Sequence, residues 1–290
     1  MRKFIPEKLY RPNDIVMNAD AYHSHRMSDH RPTVALFVTC LADLMRPAVG
    51  FATVKLLEDA GCDVVVPAAQ TCCGQPAYNA GDASSAKALA RNVIEAFSGY
   101  TYVVLPSGSC GGTIKMHYVE MFADDPVWLE KARSLSDRTF ELTTFLNDVL
   151  KVGPIAGKLD AVTAYHDSCS GLRELGIREQ PRALLSGIEG LEIREMADAE
   201  ACCGFGGLFC VKYPEISEKI VDAKVDAIAA TGATMLVGGD LGCLMNMAGR
   251  LQRRGIDVSV RHVSEVLAGT CADAPPIGEV ERGEAKAQHS

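Results

Sequence analysis

Short apolar runs alternate with longer amphipathic stretches along most of this chain. Thr33–Thr39 is an apolar run of strand length that ends at Cys40. Ala48–Ala60 carries helical periodicity and is closed by Gly61. Asp63–Val66 is a second strand, stopped by Pro67, with Cys72-Cys73-Gly74 beyond it. Asp82–Phe97 follows as a helix with Asp82 as its N-cap, then Tyr102–Leu105 as a third strand before the Cys110-Gly111-Gly112 turn and another helix. The order then recurs. Strands at Ala161–Tyr165, Leu191–Arg194 and Thr234–Val237 lead towards Cys169, Cys202 and Cys243. Helices fall at about Gly171–Leu185, Pro214–Ala230 and Leu244–Arg254. Strands alternating with helices predict βαβ units and parallel sheets.

The recurrence is a duplication. Cys40, Cys72-Cys73-Gly74 and Cys110 reappear as Cys169, Cys202-Cys203-Gly204 and Cys243, displaced by 129, 130, 130 and 133 residues. The closing stretches Leu142–Leu150 and Val263–Gly269 are also related. The predicted architecture is therefore α/β: two tandem βαβ-type repeats with parallel sheets, related by pseudo-twofold symmetry, with metal sites at the C-terminal strand edges. The boundaries are an N-terminal extension over 1–30, repeats over 31–152 and 159–270, and a disordered tail over 271–290. His23, His25 and His30 lie in the extension, which reads as a tail or docking arm rather than a metal-binding tract.

Composition narrows the function. Of 290 residues, 48% are apolar and 23% charged, an ordinary globular mixture. The net charge is −8 with no long basic run, which argues against nucleic-acid binding. No apolar run reaches the roughly 18 residues of a membrane span, and Met1–His30 lacks a signal-peptide core. A cytoplasmic protein is expected, peripheral to the membrane through partners at most.

Eleven cysteines change the picture. In a reducing compartment disulfides are a poor use for them. A packing role would scatter them over helix faces. Instead the eight repeated ones follow strand C-termini, where open α/β sheets bind ligands. Cys40, Cys72, Cys73 and Cys110 form one candidate ligand set; Cys169, Cys202, Cys203 and Cys243 form the other. Four thiolates suit an iron–sulfur cluster or a tetrahedral zinc ion. The adjacent Cys-Cys pair and the surrounding glycines favour the larger, anionic cluster. Cys62 reads as packing, Cys210 as a spare ligand at most, and Cys271 as an exposed tail thiol. His166 is a candidate proton shuttle, against a plainer hydrogen-bonding role. Arg173 and Arg46 are candidates for gripping a substrate carboxylate or balancing cluster charge, against surface ion pairs. The glycine-rich Gly204–Gly207 stretch lacks the spacing of a dinucleotide-binding turn.

These motifs resemble the duplicated CCG, or cysteine-rich domain, family. The stretches Tyr165–Ile177, Glu200–Ser217 and Ser107–Gly112 look most like its lactate-utilization branch. The resemblance spans about Arg31 to Thr270. It implies an iron–sulfur subunit of a multi-subunit system oxidising L-lactate or another 2-hydroxy acid, not NAD-dependent. One or two clusters, [4Fe–4S] in type, would sit on the two cysteine sets. The implied partners are a ferredoxin-like iron–sulfur subunit and a third small subunit. The family motif ends in Cys-x-x-Cys, whereas Thr113 and Asn246 stand at the last position here. Each half thus keeps four thiols, which weakens the parallel with thiol–disulfide chemistry in heterodisulfide reductase B subunits. A zinc-stabilised scaffold remains the alternative from a different class.

Overall fold

A computed structural model describes residues 31–279. It contains two four-stranded sheets, parallel throughout. The first comprises β1 (Thr33–Leu36), β2 (Asp63–Val65), β3 (Tyr102–Leu105) and β4 (Thr139–Glu141), in the order β2-β1-β3-β4. The second comprises β5 (Gly157–His166), β6 (Ile188–Ile193), β7 (Met235–Gly238) and β8 (Ser259–His262), in the equivalent order β6-β5-β7-β8. The central strands are buried on both faces, so Val34–Leu36, Val103–Leu105 and Met235–Gly238 read as continuous apolar runs. The predicted helices form at Pro47–Asp59, Ala83–Ala96 and Pro214–Ala230, and the Asp82 carboxylate accepts from Ser85 N as the N-cap. The stretch read as one helix after Cys169 is two, Cys169–Leu175 and Glu179–Leu185, because Gly176 turns left-handed at φ 67° and ends the first.

In each half the chain runs one way from the first strand and the other way from the third. The crevice between the C-terminal ends of β1 and β3, or of β5 and β7, is the switch point of such a sheet. Cys40 and Cys169 open the helices after β1 and β5; Cys110 and Cys243 lie in the helices after β3 and β7.

The halves pack reciprocally. The Gly108–Gly112 helix of the first half crosses the Cys169–Leu175 helix of the second, and the Cys40–Met45 helix meets the Leu241–Arg253 helix. The Pro47–Asp59 helix lies on Val263–Leu267, and its counterpart Glu179–Leu185 lies on Leu142–Val149. Each surface of one half meets the other half's counterpart, the signature of a twofold relation. One apolar cluster contains Val34, Val104 and Leu142 together with Leu184, Val237 and Val263, so the two sheets share a core. Residues 271–279, expected as disordered tail, are instead pinned to the body. Ile277 is buried and its N–H donates to Val260 O, while the Arg46 and Arg261 guanidinium groups donate to Pro275 O and Ala274 O. Cys271, expected exposed, packs half-buried against the shared core. Among the described residues no helix is long and apolar enough to cross a membrane. His23, His25 and His30 lie outside the described residues.

Candidate metal centres

The two cysteine sets converge in the same way. Thr39 and Ser168, at equivalent positions, cap the helices that begin with Cys40 and Cys169 by accepting from Ala42 N and Gly171 N. This aims each first thiol at the Cys-Cys pair of its half. Cys40 Sγ lies 3.8 Å from Cys72 Sγ, and Cys169 Sγ lies 3.8 Å from Cys202 Sγ. Cys73 Sγ lies 3.4 Å from Cys110 Sγ, and the Cys203 and Cys243 sulfurs lie within 4.8 Å of one another. All eight are free thiols; Cys73, Cys110, Cys203 and Cys243 are buried and the other four half-buried.

The loop that carries each pair needs glycine. Gly74 and Gly204 have φ of 84° and 81°, a region where side chains are strained. A Cβ on Gly204 would also meet Ser217 O at 2.8 Å. In this conformation the Gly74 and Gly204 N–H groups turn back to donate to Cys72 Sγ and Cys202 Sγ, at 3.5 and 3.3 Å. Thiol donation from Cys40 and Cys169 is the larger influence. It draws Cys72 and Cys202 well below the ordinary thiol range and pushes their donors up. The direction at Cys72 and Cys202 is towards the deprotonated form in which cysteine binds metal.

The positions where the family motif places further cysteines do other work. Thr113 Oγ1 donates to Ser109 O at 2.9 Å, and Asn246 Nδ2 donates to Cys203 O at 2.8 Å. In the first half the buried Tyr118 hydroxyl makes the corresponding bond to Cys73 O, at 2.7 Å. Tyr118 and Asn246 thus hold equivalent carbonyls from different positions, an equivalence that sequence spacing conceals.

A cavity of about 210 Å³ adjoins the first set. Its lining includes Cys40, Cys72, Cys73 and Cys110, but also Phe205, Leu208 and Gly242 from the second half. Phe205 packs over Gly242 so closely that a Cβ there would lie 2.4 Å from its ring. The loop after the second Cys-Cys pair therefore roofs the first thiol set.

The second set has neighbours that sequence reasoning did not find. Lys224 is fully buried in the Pro214–Ala230 helix, and its ammonium donates to Asp198 O and Ala199 O at 3.0 and 2.9 Å. Its charge lies near the Cys203 and Cys169 sulfurs. The only signal was a lysine on the apolar stripe Val221, Val225 and Ile228. Asp167, also buried, takes a bidentate bond from Arg182 at 2.9 and 2.8 Å.

His166 lies beside Cys203 and Cys243. Its ring is buried, and neither nitrogen has a hydrogen-bond partner among the described residues. Burial is the main cause that pushes the ring down to about 3, so the imidazole is neutral. The two arginine candidates are committed elsewhere. Arg46 binds Glu265 and Pro275 O, clamping the halves together, and Arg173 donates to Glu200 O on the surface. Neither lines the cavity. Cys62 is core, as its position predicted. Cys210 Sγ contacts Gly207 O in the roofing loop.

Comparison with known proteins gives the same division. A family profile described as a cysteine-rich domain, CCG, matches residues 34–115 and again 163–248. Lactate utilization protein A of Bacillus cereus (strain G9842) is 47% identical over 234 residues, covering 81% of this chain and 98% of the relative. Lactate utilization protein A 2 of Bacillus mycoides (strain KBAB4) is 48% identical over the same shares. Among solved structures, a hypothetical protein from Helicobacter pylori has the same fold, with a TM-score of 0.60 at 13% identity over 90% of this chain. This chain spans about half of that structure's length, 52%. With two matched cysteine-rich domains and near-full-length relatives, this chain belongs to the CCG cysteine-rich domain family, in the branch that contains lactate utilization protein A.

Proposed function

We propose that this protein is the iron–sulfur subunit of a multi-subunit system that oxidises L-lactate or a related 2-hydroxy acid. The observation that carries the reading is the duplicated convergence of four thiols at equivalent strand ends, one set opening on a cavity of about 210 Å³. Cys40, Cys72, Cys73 and Cys110 would hold one cluster, and Cys169, Cys202, Cys203 and Cys243 the other, each [4Fe–4S] in type. Several features support that assignment. The donors are soft thiols, and hydrogen bonds from neighbouring thiols draw one of each set below the ordinary thiol range. Backbone N–H groups of Gly74 and Gly204 point at sulfur. The buried Lys224 ammonium offers positive charge to an anionic group. A bound cluster would supply one-electron transfer.

The chain's own residues would keep that centre dry and fixed. Phe205 and Leu208 roof the first thiol set, and Tyr118 and Asn246 hold the Cys-Cys carbonyls in place. Among the described residues no arginine lines the first cavity. The 2-hydroxy acid is assigned to a surface shared with a partner, and lactate is taken from the relatives' name, lactate utilization protein A. A ferredoxin-like iron–sulfur subunit and a third small subunit are the proposed partners, acting in the cytoplasm and meeting the membrane only through that assembly.

Anaerobically purified protein should contain about four to eight irons with matching sulfide and absorb broadly near ~400 nm. Stoichiometric zinc without sulfide, surviving anaerobic reconstitution with iron, would overturn the reading in favour of a structural module.

A further inference from the structure

We propose that His166 is a nitrogen ligand of the second metal centre, which makes the two centres chemically unequal. The inference rests on the reading that the second thiol set holds an iron–sulfur cluster. Four observations carry it. His166 is 1% exposed, yet both ring nitrogens lack a partner among the described residues. A buried imidazole left so is rare, because histidine normally bonds at one nitrogen at least. One of its nitrogens lies with Cys203 Sγ and Cys243 Sγ in a group no wider than 4.8 Å. Among the described residues this is the group of three or more His, Cys, Asp or Glu side chains that converges as a metal site. Finally, the first half lacks the feature: Phe37 precedes Cys40 by three residues as His166 precedes Cys169, and its ring packs on Phe97.

The duplication supplies an internal control. Selection for packing alone is met by phenylalanine at this position in the first half. An imidazole in the second half sits in an equally buried place with no hydrogen-bond partner among the described residues. Its fixed position at the end of β5 is set by Ser168 capping the next helix and by the Arg182 clamp on Asp167. The ring is thus held towards the sulfurs by neighbours on both sides. Imidazole is a good ligand for iron, and the iron nearest Cys203 and Cys243 would then carry a nitrogen donor that the first centre lacks.

The test is pulsed electron paramagnetic resonance on the full chain, reconstituted anaerobically with iron and sulfide and then reduced. Protein labelled with 15N-histidine should show histidine nitrogen coupled to a reduced cluster. The coupling should vanish in His166→Phe, which copies the first half, and in His166→Gln, which keeps a polar group, while the cysteine-only signal of the first centre persists. A wild-type protein with full iron and sulfide but no histidine coupling would overturn the inference and leave the proposed function standing. Coupling that survives both substitutions would overturn it too. Absence of iron and sulfide in the wild type would remove the reading on which it rests.

Discussion

The Ser107 hydroxyl donates to the Asp240 carboxylate across the two halves, at 3.1 Å. The residues are counterparts: each is the N-cap of the helix that follows the third strand of its half. Their use of that position differs. Ser107 caps its own helix by accepting from Cys110 N. Asp240 makes no cap bond to its own helix, and its carboxylate instead accepts from Ser109 N at 2.9 Å. One carboxylate from the second half thus anchors the start of the helix that carries Cys110. Asp240→Ala should destabilise the protein by about 1–3 kcal/mol, because it strands a buried hydroxyl and an amide. Denaturant titration of Ser107→Ala, Asp240→Ala and the double variant should show non-additivity of about 0.5 kcal/mol or more. Simple additivity would mean that the contact does not lock the halves.

Close approach of the halves depends on glycine at Gly108. A Cβ there would lie 2.7 Å from Ser168 Oγ and 2.9 Å from the Gly171 backbone. Gly108→Ala should cost about 1–3 kcal/mol by forcing the two helices apart. Gly99→Ala, where nothing lies within 4 Å, is the control and should leave the thermal midpoint nearly unchanged.

Arg46 meets Glu265 through two bonds at 3.1 and 2.7 Å, and the Glu265 side chain is wholly buried. Removing one partner strands the other. Arg46→Met alone should cost about 3–5 kcal/mol, and adding Glu265→Gln should restore part of it. Equal loss in single and double variants would show that shape, not charge, sets the cost. The same substitution removes the bond to Pro275 O. Proteolysis should therefore reach residues 271–279 faster in Arg46→Met than in the parent.

Glu141 sits fully buried near the junction, beside Asp240 and Tyr165. Burial raises its carboxyl to about 7, with Asp240's charge adding, despite bonds from Thr143 and Thr144 that favour the anion. The folded state therefore holds this proton more tightly than the unfolded chain. Its contribution is fully present below the unfolded value of 4.5 and is lost as pH rises towards about 7. The loss is on the order of 3 kcal/mol at most, at about 1.4 kcal/mol per pH unit. Glu141→Gln should flatten the stability–pH curve between these values. A curve unchanged in slope would assign the dependence to other groups.

The two thiol sets should be separable. Cys72→Ser and Cys202→Ser should each remove about half of the bound iron, because each ends one four-thiol set. Iron analysis after anaerobic reconstitution reads this directly. Loss of all iron from either variant would indicate one shared centre instead of two.

Much of this was legible in the chain itself. The strands β1, β3 and β7 are short apolar runs, and the helices between them carry clear periodicity and caps. The duplication, with parallel crossovers, then placed the cysteines of each half at one edge. The strands β4 and β8 were missed, since Thr-Phe-Glu and Ser-Val-Arg-His are too short and too polar to read as strands. They are strands because each pairs with an apolar neighbour, β3 or β7. For Arg46 an ion pair was one of the readings, but the sequence could not name the partner or its burial, because Glu265 lies 219 residues away.

The sequence by itself determined the element order, the repeat and which thiols form each set, because local periodicity, capping and spacing act within a few turns or strands. Tertiary structure decided what surrounds those thiols. Phe205 of the second half roofs the first set, Asp240 caps the helix of Cys110, and His166 is left facing Cys203 and Cys243. Such relations depend on how two similar surfaces dock, and small differences between the copies, Phe37 against His166 and Ser107 against Asp240, become visible only once they meet or converge in space.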